Sequence, residues 1–206
     1  MKTKNAFVSI LALALVVLVA GCSGNKKEAT ENHEDPDQMD HAKAEATTPV
    51  EVKAFEHVDA LVKTQLNGFL MDYFALNQVL IEDNQDGAKA AAKKLSETIS
   101  KFDMTKLIGE QMDFYHLHIA KLNEGLKGIS ASADIEETRT EFSTISESMY
   151  VLAKAYHPNE SELYFQFCPM AKNGDGANWL SNTKEIINPY MGQRMLACGR
   201  TKETLN

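Results

Sequence analysis

Only three cysteines occur in the 206 residues. Neither they nor the six histidines form a Cys-x-x-Cys-His run or the closely paired Cys and His spacing of a zinc ligand set. Covalent c-type haem is therefore excluded as a motif, and an ordinary zinc site lacks its ligand pattern. Basic residues are outnumbered, with 21 Lys and Arg against 29 Asp and Glu. An acidic chain of this kind lacks the clustered cations that phosphate contacts need, so no nucleic-acid partner is expected. Ser, His and Asp are plentiful but fall in no recognisable catalytic motif, and no enzyme is expected. The one long apolar run, Ala6 to Ala20, is shorter than the roughly 20 residues a membrane-spanning helix requires.

That short run makes sense as part of an export signal. Met1-Lys2-Thr3-Lys4 supplies a basic start, Ala6 to Ala20 the apolar centre, and Leu18-Val19-Ala20-Gly21-Cys22 has the form of a lipobox. Residues 1–21 are read as a bacterial lipoprotein signal peptide and Cys22 as the lipid-bearing first residue. Membrane attachment is then through the lipid, and the location is the cell envelope, at the periplasmic or outer-membrane face. Loss of Lys2 and Lys4 with the signal takes the formal charge from −8 to −10, which tolerates or attracts cations. Residues 22–51 have no aromatic and almost no branched aliphatic side chains, too little to offset ordering entropy, and are expected to be a flexible tether. Within it His33, Met39 and His41 stand among carboxylates. They offer weak metal capture, or belong to an acidic solvated linker in which histidine is incidental.

Residues 52–160 carry helical periodicity. Phe55, Val62, Phe69 and Leu76 recur at sevens, with Leu66, Tyr73 and Leu80 four positions after the later three, and predict one long amphipathic helix. Turn residues Glu82 to Gly87 end it, and Ala88, Ala91, Ala92, Leu95, Ile99 and Phe102 form a narrow second stripe. Asp103 or Thr105 is a candidate cap for a third helix bearing Ile108, Met112, Tyr115, Ile119, Leu122, Leu126 and Ile129. Gly125 and Gly128 weaken its end. Asp134-x-x-Glu137 resembles a capping box before a fourth stripe, Ile135 to Tyr156, which His157-Pro158 terminates. The expected fold is all-α, an up-and-down antiparallel four-helix bundle. Met112, His116 and His118 suggest a haem or metal site inside it, but methionine at helical spacing commonly fills core gaps, and no haem is expected.

Residues 161–206 differ in composition and are expected to pack on the bundle as a Cys/Met-rich loop with a short helix. Leu163, Phe165 and Phe167 alternate with polar residues, and Asn173-Gly174-Asp175-Gly176 forces a turn. Asn182-x-x-Glu185 resembles a helix start, and Asn188-Pro189 a helix break. Met191, Met195 and Cys198 would share one face of a helical turn, with Cys168 and Met170 closing the set from the preceding loop. Two thiols and three thioethers suit Cu(I) or Ag(I). Equally, two cysteines in an exported domain are often a disulfide, and bridging Cys168 to Cys198 would stabilise by about 2–4 kcal/mol.

The run Phe165-Gln166-Phe167-Cys168-Pro169-Met170-Ala171, with Asn178-Trp179-Leu180-Ser181, Ile187-Asn188-Pro189-Tyr190-Met191-Gly192 and Met195-Leu196-Ala197-Cys198-Gly199, resembles a bacterial domain family of unassigned function common in Bacteroidetes. Members occur as small lipoproteins and attached to periplasmic adaptors of copper/silver efflux pumps. The resemblance spans roughly residues 55 to 200 and is specific at the carboxyl end. It implies heavy-metal handling and supports Cys168, Met170, Met195 and Cys198 as ligands, while Met191 stands where the family often has an aromatic. The expectation is an envelope-anchored lipoprotein that binds Cu(I) or Ag(I), buffering the ion or handing it to an efflux adaptor. The alternative is an interaction module with a Cys168–Cys198 disulfide and no metal role.

Overall fold

The computed structural model describes residues 51–206. Cys22, His33, Met39 and His41, the signal segment and nearly all of the tether lie outside the described residues. Four helices follow in order: α1 (Ala60–Ile81), α2 (Gln85–Ser100), α3 (Glu110–Ala131) and α4 (Ile135–Tyr156). Each packs on the next, and α4 returns against α1.

Local chemistry fixes their ends. Asp59 accepts from the Leu61 N–H, Asn84 from the Gly87 N–H, and Asp134 from the N–H groups of Glu136 and Glu137, so α1, α2 and α4 each start with an orphan amide satisfied, whereas α3 starts from Gly109 with no side-chain cap. Glu137 reaches back to the Ala133 N–H, one residue before the cap, a displaced form of the expected capping box. His157 ends α4 in the left-handed conformation. Asp103 caps a 3-10 turn over Met104–Lys106 instead of α3. Ile108 precedes α3 and is 70% exposed, so it leaves the core stripe assigned to it. Phe55 also falls outside α1. Its N–H donates to the Ala155 carbonyl, and its ring packs on Phe114 and Tyr156.

The all-α expectation is overturned by the carboxyl-terminal segment. It forms a three-stranded antiparallel sheet of β1 (Leu163–Cys168), β2 (Ala177–Ser181) and β3 (Arg200–Leu205), in the order β2-β1-β3. β1 and β2 are a hairpin in which Phe165 faces Leu180 and Cys168 faces Ala177. Phe165 stacks on Tyr150 of α4 with ring centroids 3.7 Å apart, so one sheet face lies on the bundle. The other face, with Gln166 and Trp179, is covered by the chain running from β2 to β3. Gln166 donates to the carbonyls of Thr183, Lys184 and Glu185, and Trp179 meets Tyr190 edge-on. Those three carbonyls, bound by one buried amide, leave no helix at Asn182–Glu185. The expected turn through Met191, Met195 and Cys198 is also absent as an α-helix. A 3-10 turn over Gly192–Arg194 gives way at Met195 to an extended φ of −158°, which takes the three sulfurs off a common helical face.

Glycine lets α3 and α4 approach. A Cβ on Gly125 would stand 2.7 Å from Ile145 Cγ1 and 3.1 Å from the Glu141 carbonyl. Gly125→Val is expected to overpack this contact and cost roughly 1–3 kcal/mol, read as a lowered urea midpoint. An unchanged midpoint would show that the helices are not held this close.

Candidate sulfur site

Cys168 is the last residue of β1 and Cys198 stands two residues before β3. Because β3 pairs with β1 from Phe167↔Arg200 onward, the two cysteines are drawn to the same end of the sheet. Their Sγ atoms lie 2.8 Å apart, both as free thiols. Cys168 is fully buried at 0% exposure, whereas Cys198 is half-buried. Burial chiefly, with the neighbouring Cys168 adding to it, pushes the Cys198 thiol up to about 11, against the lowering effect of the Met170 N–H that points at its sulfur. Near neutral pH Cys198 is therefore a protonated thiol, and any metal must displace its proton.

The three methionines are placed differently from one another. Met170 lies in the turn just after Cys168 and is 51% exposed; Met195 lies in the turn just before Cys198 and is 42% exposed. Met191 is half-buried and packs against the hydrophobic core. Two cysteines thus meet, with two exposed thioethers on the turns that carry them, and the third thioether serves packing. On α3, His116 is exposed, Met112 packs against the core, and His118 lies against the Phe114 ring.

A single side chain organises the loop that delivers Cys198. Asn188 is fully buried. Its Nδ2 donates to the Cys198 carbonyl at 2.6 Å, and its Oδ1 accepts from the N–H groups of Tyr190 and Met191 at 2.8 and 3.1 Å. Its backbone N–H donates to the Leu196 carbonyl and its own carbonyl accepts from Gly192. Beyond the loop, Gly199 has φ +145°, and a Cβ there would lie 2.8 Å from the Phe167 carbonyl and 3.0 Å from the Trp179 ring. Only glycine lets the chain turn so tightly into β3.

The same loop is latched to the helices through charge. Arg139 of α4, only 3% exposed, donates to the carbonyls of Pro189 and Leu80 and pairs with Asp83 and Glu136. Asp83, held in the left-handed conformation after α1, also accepts from the Gln193 N–H. A side chain on Gly192 would run into both Asp83 and Arg139. Arg139 and Asp83 had no signature in the sequence, because the groups they bind to form the latch lie 50 or more residues away along the chain, whereas Asn188 accepts from N–H groups two and three residues on, as a turn-forming Asn does.

Burial acts to raise the Asp83 carboxyl. Hydrogen bonds from Arg139 and Gln193, with the charges of Arg139 and Arg194, outweigh it and hold the group below its ordinary value of 3.8. A depressed carboxyl stabilises the fold above its unfolded value and loses that contribution as pH falls through the lower folded value. Acidification below about pH 3.8 is therefore expected to release the Gln193 amide, seen as faster hydrogen exchange there. Asp83→Asn should exchange at that position with no carboxyl-linked step. Identical acid profiles for the two proteins would contradict the latch.

Among the described residues, no group of three or more His, Cys, Asp or Glu is arranged to hold a metal ion, and no helix is long and apolar enough to cross a membrane. The donors that do meet at the sheet end are two thiols, with two thioethers nearby in sequence. In comparisons with known proteins, residues 69–161 match a family described as "Protein of unknown function (DUF3347)". The match takes in most of α1 through the end of α4 and stops before β1. No curated protein and no solved structure matches the chain.

Proposed function

We propose that the protein is an envelope-anchored lipoprotein that binds Cu(I) or Ag(I) at Cys168 and Cys198, with Met170 and Met195 as exchangeable thioether donors. The observation that supports this reading is the meeting of two thiols, 30 residues apart in sequence, on turns that each carry an exposed methionine. Soft thiolate and thioether ligands select Cu(I) over harder ions. Binding converts two thiols to thiolates and releases two protons. Methionine needs no deprotonation, so Met170 and Met195 provide the first and last contacts as an ion is passed to a partner by ligand exchange. An efflux adaptor is the proposed recipient, and lipid on Cys22 would keep the protein at the membrane beside it.

One distance favours a second reading for the protein without metal. Two sulfurs on one ion, at about 2.3 Å each, stand about 3.8 Å apart in tetrahedral and about 4.6 Å apart in linear geometry. At 2.8 Å the thiols are closer than either. A Cys168–Cys198 disulfide, with the bundle acting as an interaction module, uses this proximity directly, and metal capture requires the pair to open by about 1 Å or more.

Chelator competition on the reduced protein tests the metal reading. Tight one-to-one Cu(I) binding is expected, and a Cys168→Ser/Cys198→Ser protein should lose it. Because a proton leaves the Cys198 thiol, whose value is raised to about 11, affinity should rise with pH, about tenfold per unit for each thiol proton displaced. Trp179 is the only tryptophan and its ring edge lies against Gly199, so intrinsic fluorescence provides a second readout. Equal binding by both proteins, or affinity independent of pH, would overturn the assignment.

A further inference from the structure

The two thiols are chemically alike but sterically unequal. Cys168 is fully buried at the end of β1, part of the hydrophobic core, with its sulfur against Cys198. Cys198 is half-buried beside Ala197, Met195 and Met170, all exposed or half-exposed. An incoming sulfur compound reaches Cys198 before Cys168, and Cys168 waits 2.8 Å behind it. An accessible thiol with a second one in contact is the arrangement that thiol–disulfide exchange requires; because Cys198 holds its proton near neutral pH, its first step is slow there and quickens as pH rises.

We infer that Cys198 is a modification site for disulfide-bearing compounds, that Cys168 is its resolving thiol, and that the resulting Cys168–Cys198 disulfide switches off the metal site. This regulation rests on the sulfur-site reading above, whereas the assignment of the two thiol roles does not. In the first step the Cys198 thiolate attacks one sulfur of a compound RSSR. The R–S–S–R bond breaks, a Cys198–S–S–R bond forms and RS⁻ leaves. In the second step the Cys168 thiolate attacks Cys198 Sγ and expels the second RS⁻, closing the internal disulfide. Two cysteine thiols have been oxidised, one RSSR has been reduced to two RSH, and the two cysteine protons end on the departing thiolates. A dithiol of the same class reverses both steps. The disulfide retains neither thiolate, so a soft ion then finds only Met170 and Met195.

Oxidised glutathione is a suitable probe, applied to the full chain with Cys22→Ser so that only the two site cysteines react. Cys168→Ser should accumulate a stable single adduct at Cys198, and Cys198→Ser should remain unmodified at Cys168, both read by mass spectrometry after confirming helical content by circular dichroism. Brief alkylation of native protein with both thiols present, followed by peptide mapping, provides the same comparison without altering the pair, and Cys198 is expected to label at least tenfold faster. Without alkylation, oxidised glutathione should carry this protein to the internal disulfide with no retained adduct, and Cu(I) affinity should fall at least a hundredfold. Equal labelling of the two thiols, or adduct formation at Cys168 in Cys198→Ser, would overturn the assignment of roles. Cu(I) affinity unchanged by oxidation would overturn the switch. Absence of Cu(I) binding in the reduced protein would instead overturn the metal reading, and the adduct pattern would report independently on Cys198.

Discussion

β2 and β3 flank β1 and both run antiparallel to it, so they are parallel to each other, and the chain between them must travel back along the sheet and cross from one edge to the other. No hairpin can make that connection. The crossing segment, residues 182–199, has almost no regular structure, and its backbone groups need other partners. Asn188 and Gln166 supply them from buried side chains, while Arg139 binds the Pro189 carbonyl from α4. Cys198 arrives opposite Cys168 because this crossing is held in one conformation. The sulfur site is thus a consequence of topology, set where the crossing ends and β3 begins.

The sheet depends on the bundle in turn. Leu180 of edge strand β2 has its N–H on the Tyr73 hydroxyl and its carbonyl on the Asn77 amide. Two polar side chains of α1 thereby occupy a strand edge that would otherwise be an open template for pairing. Tyr73 is also bonded to Ser146 of α4, and burial raises its hydroxyl pKa far above the ordinary range, so it remains a neutral donor and acceptor. On the opposite edge, Glu203 of β3 accepts from Tyr150 and Lys154 of α4. The helices similar to an uncharacterised family and the cysteine-bearing sheet beyond them therefore share one hydrogen-bonded interior.

What the sequence made legible follows from the physics of each element. The stripes of α1 to α4 were visible because burial repeats every three or four residues, and the Asp134 cap because its partners are two and three positions away. The alternation at Leu163, Phe165 and Phe167 and the turn at 173–176 marked an extended stretch and a reversal, but the segment is expected to be a loop on an all-α bundle, and no sheet follows from it. β3 could not be read at all, since Arg200-Thr201-Lys202-Glu203-Thr204 is polar and largely exposed and pairs only because β1 offers an edge. The pairing of Cys168 with Cys198 was anticipated as a possibility of composition, but the helical turn meant to align Met191 and Met195 with Cys198 was not formed. Polar residues bonded to distant backbone, Gln166, Arg139 and Tyr73, carry no local pattern from which those bonds could be read.

The central claim, that this topology builds a sulfur site at Cys168 and Cys198, is tested most directly by X-ray absorption at the copper edge of the reduced protein loaded with one equivalent of Cu(I). The account predicts a first shell of sulfur alone, whose amplitude falls when both cysteines are replaced by serine. A shell containing nitrogen or oxygen, or a sulfur shell indifferent to that replacement, would contradict it.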